Sequence, residues 1–233
     1  MLIKGDCLTE MKNIEDNTVD LLFCDLPWAA TSCKWDCALD LPLFWKQVNR
    51  VCKINCPMFF CCNAKFGNTL INSNPKNFRY DLVLIKSSPV GFLNAKKMPM
   101  KKHELIYVFY RKLPLYDLSS HKHKFIKCTY KKDIGGLYGD GIKRVDGLAG
   151  QYDPPLPNSI LEIKSEKGKH PTQKPIQLIE WILKYYSKVG DTVLDPTMGS
   201  GSSGVACINM KRKYIGIEKD PDIFKIAKSR VLC

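Results

Sequence analysis

The sequence lacks the patterns that would place it in a membrane, outside the cell or in a disulfide framework. No apolar run approaches the roughly 20 residues that a membrane-spanning helix needs. The N-terminus has no basic segment followed by an apolar stretch, so we expect a protein of the reducing cytoplasm with no membrane partner. The 11 cysteines form no C-x-x-C pair, which predicts buried or half-buried free thiols and no metal site.

Acidic residues are also scarce, and their scarcity is local. The chain has 36 Lys+Arg against 23 Asp+Glu, a net charge of +13, and the segment from Lys86 to Arg144 holds fourteen basic residues but only four acids. Such a segment can be merely a solvated face, but here aromatic residues alternate with the cations. Phosphate-neutralising cations beside rings that stack on bases predict a nucleic-acid partner whose binding weakens with salt. These rings are Tyr107, Phe109, Tyr110, Tyr116, Phe125, Tyr130 and Tyr138.

Short apolar runs alternate with amphipathic ones over the first 90 residues. Apolar residues at helical spacing, with Pro42 in the first turn, predict a helix over Leu41–Val51, and a second helix is expected over Phe66–Ile71. The alternation predicts an α/β protein with a mostly parallel central sheet. The expected strands are Val19–Cys24, Pro57–Cys62 and Tyr80–Ile85.

The regular pattern stops in the middle of the chain and returns near its end. Glycines and the Asp153-Pro154-Pro155 turn break residues 112–166, which we interpret as an irregular insert in a single domain of residues 1–233. After it, we expect a helix over Ile176–Tyr186, a strand over Thr192–Leu194, a glycine-rich turn, a helix through about Asn209 and a strand over Tyr214–Ile217. The chain therefore ends in a β-loop-α-β unit.

The turn after the strand ending at Leu194 contains G-x-G-x-x-G at Gly199, Gly201 and Gly204. Glycines let a ligand approach the backbone, and Glu218, nineteen residues after Gly199, is placed to bind the two hydroxyl groups of a ribose. The alternative is a tight strand-to-helix turn with a surface glutamate. The agreement of strand, loop, helix and acid favours a site for a cofactor that contains a nucleoside.

Two classes of cofactor fit such a loop, and Asp195 distinguishes them. A dinucleotide places its pyrophosphate at the helix N-terminus, where a neighbouring carboxylate would repel it. The ammonium group of S-adenosylmethionine would instead be attracted. S-adenosylmethionine is therefore the expected cofactor, and a nicotinamide-dependent oxidoreductase is the disfavoured alternative.

Several segments together resemble the DNA amino-methyltransferases (adenine-N6 and cytosine-N4), in the permuted group whose catalytic motif precedes the S-adenosylmethionine motif. The resemblance implies a Rossmann-like, S-adenosylmethionine-dependent methyltransferase fold, with the insert 112–166 as the target-recognition region. It also implies methylation of a base flipped out of double-stranded DNA. The matching segments are KGDC at 4–7, VDLLFCDLPW at 19–28, KWD at 34–36, His103-Glu104, HPTQKP at 170–175 and VLDPTMGSG at 193–201.

By this resemblance the catalytic residues are Asp25, Leu26, Pro27 and Trp28, in the place of the usual Asp-Pro-Pro-Tyr. The Asp25 carboxylate and the Leu26 main-chain carbonyl are implied to accept hydrogen bonds from the target amine. Any residue supplies that carbonyl, and Trp28 offers a larger face than tyrosine for stacking on the base. Aspartate at the head of the tetrad favours adenine N6, since cytosine-N4 enzymes of the family more often carry serine there.

The cofactor site is implied by the same resemblance, together with the glycine loop. His103 and Glu104 resemble a segment near the target base. The predicted cofactor contacts are Asp6, Cys7, Asp25, Thr172, Lys174, Asp195, Pro196, Thr197, Gly199, Ser200, Gly201, Ser202 and Glu218.

The departures at Leu26 and Trp28 keep a second class of function open. A methyltransferase-like module that has lost turnover would bind DNA or a partner without modifying it. A cytosine-N4 enzyme is the alternative within the main interpretation. A homodimer and a cognate restriction endonuclease are further partners that the resemblance leaves open.

Overall fold

A computed structural model describes residues 1–27, 39–127, 148–164 and 173–232. It contains two compact units, one formed by Met1–Tyr116 with Ser159–Cys233 and the other by Asp117–Asn158. Numbered in chain order, the strands are β1 (Leu2–Lys4), β2 (Leu21–Cys24), β3 (Met58–Cys62), β4 (Phe78–Val90), β5 (Lys101–Phe109), β6 (Lys122–Lys127), β7 (Leu148–Asp153), β8 (Ile160–Glu162), β9 (Thr192–Asp195) and β10 (Lys213–Glu218).

The larger unit is built on an eight-stranded sheet with the order β1-β10-β9-β2-β3-β5-β4-β8. Every neighbouring pair is parallel except the two that involve β5, which runs antiparallel to both β3 and β4. This confirms the predicted α/β class with a mostly parallel sheet.

The described residues contain six α-helices beside the strands: α1 (Cys7–Glu10), α2 (Leu41–Val51), α3 (Ala64–Ser73), α4 (Ile176–Tyr186), α5 (Ser202–Asn209) and α6 (Pro221–Val231). The bounds of α2 and α4 confirm the predicted ones. Helix α2 begins there because the Asp40 carboxylate accepts a hydrogen bond from the Leu43 amide at 2.9 Å, with Pro42 in the first turn. Within the described ranges, no helix is long and apolar enough to cross a membrane.

The central strands are buried on both faces by helices. All nine residues of β2 and β3 are buried, the continuous apolar pattern of a covered parallel sheet. Phe59 and Phe60 point to opposite faces because side chains alternate along a strand. The Phe59 ring lies 5.0 Å from the Tyr186 ring of α4, and the Phe60 ring lies 5.3 Å from the Trp45 ring of α2. The sheet is therefore the middle of three layers.

Part of the segment predicted as an insert belongs to this sheet. Strand β8 lies within residues 112–166, yet it pairs in parallel with Val83–Ile85 of β4. The smaller unit, Asp117–Asn158, contains an antiparallel pair in which Lys122 of β6 lies opposite Asp153 of β7. The segment thus has more regular structure than its glycines suggested, because strand pairing supplies order that local composition does not reveal.

Seven of the 11 cysteines lie within the described residues, where the prediction of buried free thiols can be checked. All seven are buried and free of disulfide bonds, and they are Cys7, Cys24, Cys52, Cys56, Cys61, Cys62 and Cys207. The other four, Cys33, Cys37, Cys128 and Cys233, lie outside the described residues.

The sheet centre makes a quantitative prediction about stability. Leu22 of β2 is fully buried, whereas Leu43 of α2 is half exposed. Leu22→Ala should lower the free energy of unfolding by about 2 to 5 kcal/mol, because it removes transfer energy and leaves a cavity. Leu43→Ala, the matched control, should change it by less than about 0.5 kcal/mol. Urea denaturation measures both, and equal losses would contradict the packing described.

Candidate active site

The carboxyl ends of β9 and β2 form the crevice in which α/β proteins bind ligands. These strands are neighbours, but the chain leaves β9 toward β10 on one side and leaves β2 toward β3 on the other. A reversal of this kind opens a cleft beyond the strand ends. A cavity of about 480 Å³ lies there. Among its lining residues are Asp6, Cys7, Asp25, Pro27, Gln173, Lys174, Asp195, Pro196, Thr197, Gly199, Ser200, Ser202, Ser203, Glu218, Lys219 and Asp220.

The glycine loop between β9 and α5 forms one wall of the cavity. Glycine occupies positions 199 and 201 for different physical reasons. Gly199 has a φ of +52° and lines the cavity, with no atom within 4 Å of the position that a Cβ would occupy. Gly201 has a φ of +81°, and a Cβ there would lie 3.2 Å from the Ala227 Cα of α6. Gly201 therefore packs against α6 and is not among the residues that line the cavity, and its predicted contact with the cofactor stays a prediction.

Glu218, at the end of β10, holds its carboxylate against the same loop. Its Oε2 accepts a hydrogen bond from the Gly199 amide at 3.0 Å, and its Oε1 accepts one from the Asp220 amide at 2.8 Å. Burial raises the pKa of this carboxyl, while the two amides oppose the rise. The carboxylate is thus fixed in orientation, and lone pairs remain to accept hydrogen bonds from a ligand hydroxyl.

Asp195 lies deeper, at the end of β9, and only 3% of its surface is exposed. Its Oδ1 accepts a hydrogen bond from the Thr197 amide at 3.1 Å, and its Oδ2 accepts one from the Ser203 hydroxyl, which also contacts Tyr214. Burial raises the pKa of Asp195 to about 7, although both hydrogen bonds oppose the rise. Near neutral pH a cation entering the cavity would therefore favour the ionised form.

Asp25, at the end of β2, belongs to a row of alternating charges. Its Oδ2 lies 2.8 Å from Lys174 Nζ, and the same ammonium lies 3.4 Å from Glu104 Oε2 on β5. The other oxygen of Glu104 contacts the ammonium of Lys86 on β4. The Lys174 and Glu104 side chains are only 12% and 13% exposed, so the surrounding water screens these pairs weakly.

The row sets the protonation states of Asp25, Lys174 and Glu104. Burial raises the pKa of Asp25 above its ordinary value, and the Lys174 ammonium opposes that rise. Burial alone would lower the pKa of Lys174, but the neighbouring carboxylates raise it above its ordinary value. Burial would raise the pKa of Glu104, yet the two ammonium groups lower it. At neutral pH Lys174 is therefore cationic, and its charge favours a carboxylate at Asp25.

Thr197 fixes the backbone at Asp25. Its hydroxyl donates a hydrogen bond to the Asp25 main-chain carbonyl at 3.1 Å and lies 3.3 Å from Cys24 Sγ. The next residue, Leu26, is 2% exposed and packs in the apolar core with Val48 and Phe60. Leucine in the second place of the tetrad thus contributes to the core, and Pro27 lines the cavity beside Asp25.

Asp6 and Cys7 line the cavity where β1 leads into α1. The Asp6 carboxylate caps α1 by accepting a hydrogen bond from the Leu8 amide at 3.0 Å. Its other oxygen lies 3.3 Å from Lys219 Nζ. Cys7 is buried, and burial raises the pKa of its thiol to about 12, so the group is a neutral thiol at physiological pH.

The structure brings most of the sequence-predicted site residues to one cavity and adds others to them. Trp28 and Thr172, together with the segments 34–36 and 170–172, lie outside the described residues. The sequence pattern indicated no specific role for Lys86, and it did not link Glu104 to Lys174. A signal existed: Lys86 continues the buried face of Leu82 and Leu84 at a spacing of two, as Glu104 does for Ile106.

The cavity has the charge that a cationic nucleoside cofactor requires. Its lining includes five carboxyl groups and two ammonium groups, although the whole chain carries +13. The Ser202 hydroxyl oxygen, also on the lining, is buried and has no hydrogen-bond partner among the described residues. Buried polar atoms are normally paired, so this oxygen fits a contact with a bound polar molecule. The residues present therefore fit S-adenosylmethionine, which is cationic.

Comparison with known proteins now identifies the family. A family model for the N6/N4 DNA methylases, described as DNA methylase, matches residues 41–229. The chain therefore belongs to this family, which confirms the predicted resemblance. The type II methyltransferase M2.MboI of Moraxella bovis is 24% identical over 253 residues, which cover 98% of this chain and 86% of that protein. Two other type II methyltransferases match 44% of this chain and 35% of their own length.

Solved structures show the same fold. The PvuII DNA methyltransferase (cytosine-N4-specific) superposes with a TM-score of 0.73 at 15% identity, covering 100% of this chain and 86% of that chain. The M1.HpyAVI–SAM complex superposes with a TM-score of 0.66 at 22% identity, covering 100% of this chain and 99% of that chain. These matches confirm the predicted methyltransferase fold.

The elevated pKa of Asp195 predicts how the free energy of unfolding depends on pH. Between its ordinary pKa of 3.8 and about 7 the folded chain retains a proton that the unfolded chain releases, so rising pH lowers the free energy of unfolding. Asp195→Asn removes this contribution. Its free energy of unfolding, relative to that of the wild type, should therefore rise by up to about 3 kcal/mol from about pH 5 to about pH 7. Urea denaturation of both proteins measures the difference, and a constant difference would contradict the buried carboxyl.

Proposed function

We propose that the chain is a site-specific DNA methyltransferase that transfers a methyl group from S-adenosylmethionine to the N6 amine of adenine. One observation carries the proposal: the Asp25 carboxylate and the glycine loop line the same acidic cavity at the reversal point of the sheet. Membership of the DNA methylase family supports the reaction class. The predicted homodimer, cognate endonuclease and cytoplasmic location stay predictions.

The cavity residues divide into groups that would hold the cofactor and one that would meet the target amine. Glu218 would bind the ribose hydroxyls, because its carboxylate is already oriented by two amides. Asp195, Asp6 and the Ser202 hydroxyl would contact or attract the polar groups of the amino-acid end and the adenine. When bound, S-adenosylmethionine supplies an electrophilic methyl group. The M1.HpyAVI–SAM complex shares this fold, which supports the choice of cofactor.

Asp25 would prepare the target nitrogen. An exocyclic amine of a base is a poor nucleophile, because its lone pair is delocalised into the ring. Lys174 contacts Oδ2 of Asp25, and we assign Oδ1 the hydrogen bond from the amine. An acceptor in this position favours a tetrahedral nitrogen with a localised lone pair, and Oδ1 then receives the proton that the methylated nitrogen loses. Preorganised charge would supply much of the rate.

Adenine is preferred to cytosine because an aspartate heads the tetrad at position 25, as the family resemblance implies. The cytosine-N4 alternative has support of its own, since the PvuII enzyme superposes with a TM-score of 0.73. Both bases present an exocyclic amine to the same kind of acceptor. The identity of the methylated base therefore needs a direct measurement.

The decisive experiment incubates the protein with S-adenosylmethionine and unmethylated plasmid, and then digests the DNA to nucleosides for mass spectrometry. We expect N6-methyladenine from the wild type. Asp25→Asn, which keeps the side-chain shape but removes the charge, should lower the rate by at least about 100-fold. Its affinity for S-adenosylmethionine, measured by calorimetry, should change by less than about threefold, since Glu218 and the glycine loop remain intact.

Each other outcome has a definite meaning. Formation of N4-methylcytosine would mean that the target base is cytosine, while methyl transfer to an exocyclic amine remains the reaction. Unmodified DNA with intact cofactor binding would favour a module that has lost turnover. Normal turnover by Asp25→Asn would remove Asp25 from the proposed role.

Glu104 should act as a positioning residue through Lys174. Its negative charge raises the pKa of Asp25, so Glu104→Gln lowers that pKa. Because Asp25 must be ionised to accept the amine, the acidic limb of the pH–kcat profile should move to lower pH. Glu162→Gln, an exposed control on β8, should leave the profile unchanged. A profile for Glu104→Gln that overlays the wild-type profile would rule out this coupling.

A further inference from the structure

The hairpin that joins β4 to β5 exposes a dense group of apolar side chains. Five large apolar residues within eleven positions are exposed, and Phe92 and Leu93 are 80% and 96% exposed. Phe92 and Leu93 follow Gly91, whose φ of +95° turns the chain at the end of β4. Exposed apolar groups at this density mark an interaction surface. The five residues are Val90, Phe92, Leu93, Met98 and Met100.

The same hairpin is strongly cationic. From Leu82 to His103 the sequence contains five lysines and no aspartate or glutamate. Lys86 is paired with Glu104, which leaves the lysines at 96, 97, 101 and 102 around the apolar tip. The partner should therefore be a polyanion that also offers apolar surface. Duplex DNA has this combination, because stacked bases lie between two rows of phosphates.

Strand register places the hairpin at the catalytic edge of the sheet. Strand β3 ends at Cys62, opposite Leu105, but the β4–β5 ladder continues through the pairs Ile85–His103 and Val90–Lys101. The hairpin therefore projects beyond the strand ends that hold the cavity. Its base includes Glu104, whose carboxylate contacts Lys174, the partner of Asp25. The tip thus extends from the edge where a target base would have to enter.

We propose that this hairpin tip, residues 90–102, docks in a groove of duplex DNA, and that Phe92 and Leu93 enter the space that the extruded base vacates. The inference rests on the proposed function and adds the element that opens the duplex. Apolar side chains inserted between base pairs offset the cost of unstacking, and we call Phe92 and Leu93 the wedge. Lysines that contact phosphates would hold the wedge in place.

Two variants separate the wedge from the charge. Phe92→Ala/Leu93→Ala tests the wedge, Lys96→Gln/Lys97→Gln tests the phosphate contacts, and Val189→Ala is the control. Val189 is 68% exposed and precedes β9, at the opposite edge of the sheet. All these side chains lie on the surface, so the variants should keep the wild-type unfolding midpoint, which urea denaturation checks.

The charge test requires no turnover. Affinity for a short random-sequence duplex is measured by fluorescence anisotropy at several salt concentrations. Lys96→Gln/Lys97→Gln should reduce the slope of log K against log salt by about 1.8, or about 0.9 per lost phosphate contact. The control should keep the wild-type slope, and an unchanged slope in the lysine variant would overturn the docking surface.

The wedge test uses turnover after the modified site has been located by sequencing methylated plasmid. On a fully paired duplex, Phe92→Ala/Leu93→Ala should be slower than the wild type by about tenfold or more. On a duplex whose target base lies opposite an abasic site, the loss should be less than about twofold, because little unpairing cost remains. The wedge role would be overturned if the variant and the wild type had equal rates on the paired duplex. It would also be overturned if the variant lost the same fraction of its rate on both duplexes.

If the hairpin tip binds a partner other than DNA, the same variants give different results in binding and sedimentation measurements. Binding to anionic phosphatidylserine vesicles that is lost in the lysine variant, with DNA affinity unchanged, would assign the surface to a membrane and overturn the proposal. Loss of a dimer in Phe92→Ala/Leu93→Ala by sedimentation, with turnover unchanged, would assign it to a second copy. If the wild type binds DNA through the tip but methylates no base, the docking surface stands and the proposed function fails.

Discussion

The ammonium group of Lys174 is the contact on which the rest of the site depends. It lies 2.8 Å from Asp25 at the end of β2 and 3.4 Å from Glu104 on β5, so it joins the chain before α4 to two strands of the sheet. A buried cation without these carboxylates would be strongly destabilising, as would the carboxylates without the cation. The same contact that holds three distant segments together therefore also sets the charge of Asp25.

The charge distribution divides the molecule into an acidic interior site and a basic exterior. Five carboxyl groups line the cavity, while the chain as a whole carries +13. A cationic methyl donor and a polyanionic substrate are therefore attracted to different places. The exposed lysines of the β4–β5 hairpin lie at the edge of the sheet where, in the proposed function, the two would meet. In the proposed function, this charge distribution would keep phosphate away from the cofactor site and bring the target base toward Asp25.

Local signals in the sequence were sufficient for much of the fold. Helix α2 follows from Asp40, Pro42 and apolar residues at helical spacing, and its bounds were predicted correctly. The glycine loop and Glu218 were located because their chemistry depends on short spacings. Strand β8 was missed, since three residues at a sheet edge have no pattern of their own and are ordered by pairing with β4. The link among Lys86, Glu104 and Lys174 was missed because it depends on the register of distant strands.

A crystal structure with S-adenosylhomocysteine tests most directly whether this cavity is where the methyl group and the target amine meet. We expect the ribose to contact the Glu218 carboxylate and the sulfur to lie on the side of the cavity that holds Asp25. The Ser202 hydroxyl should then have a polar partner. A ligand bound outside the cavity, or one whose sulfur points away from Asp25, would contradict the assignment of Asp25 as the acceptor for the target amine.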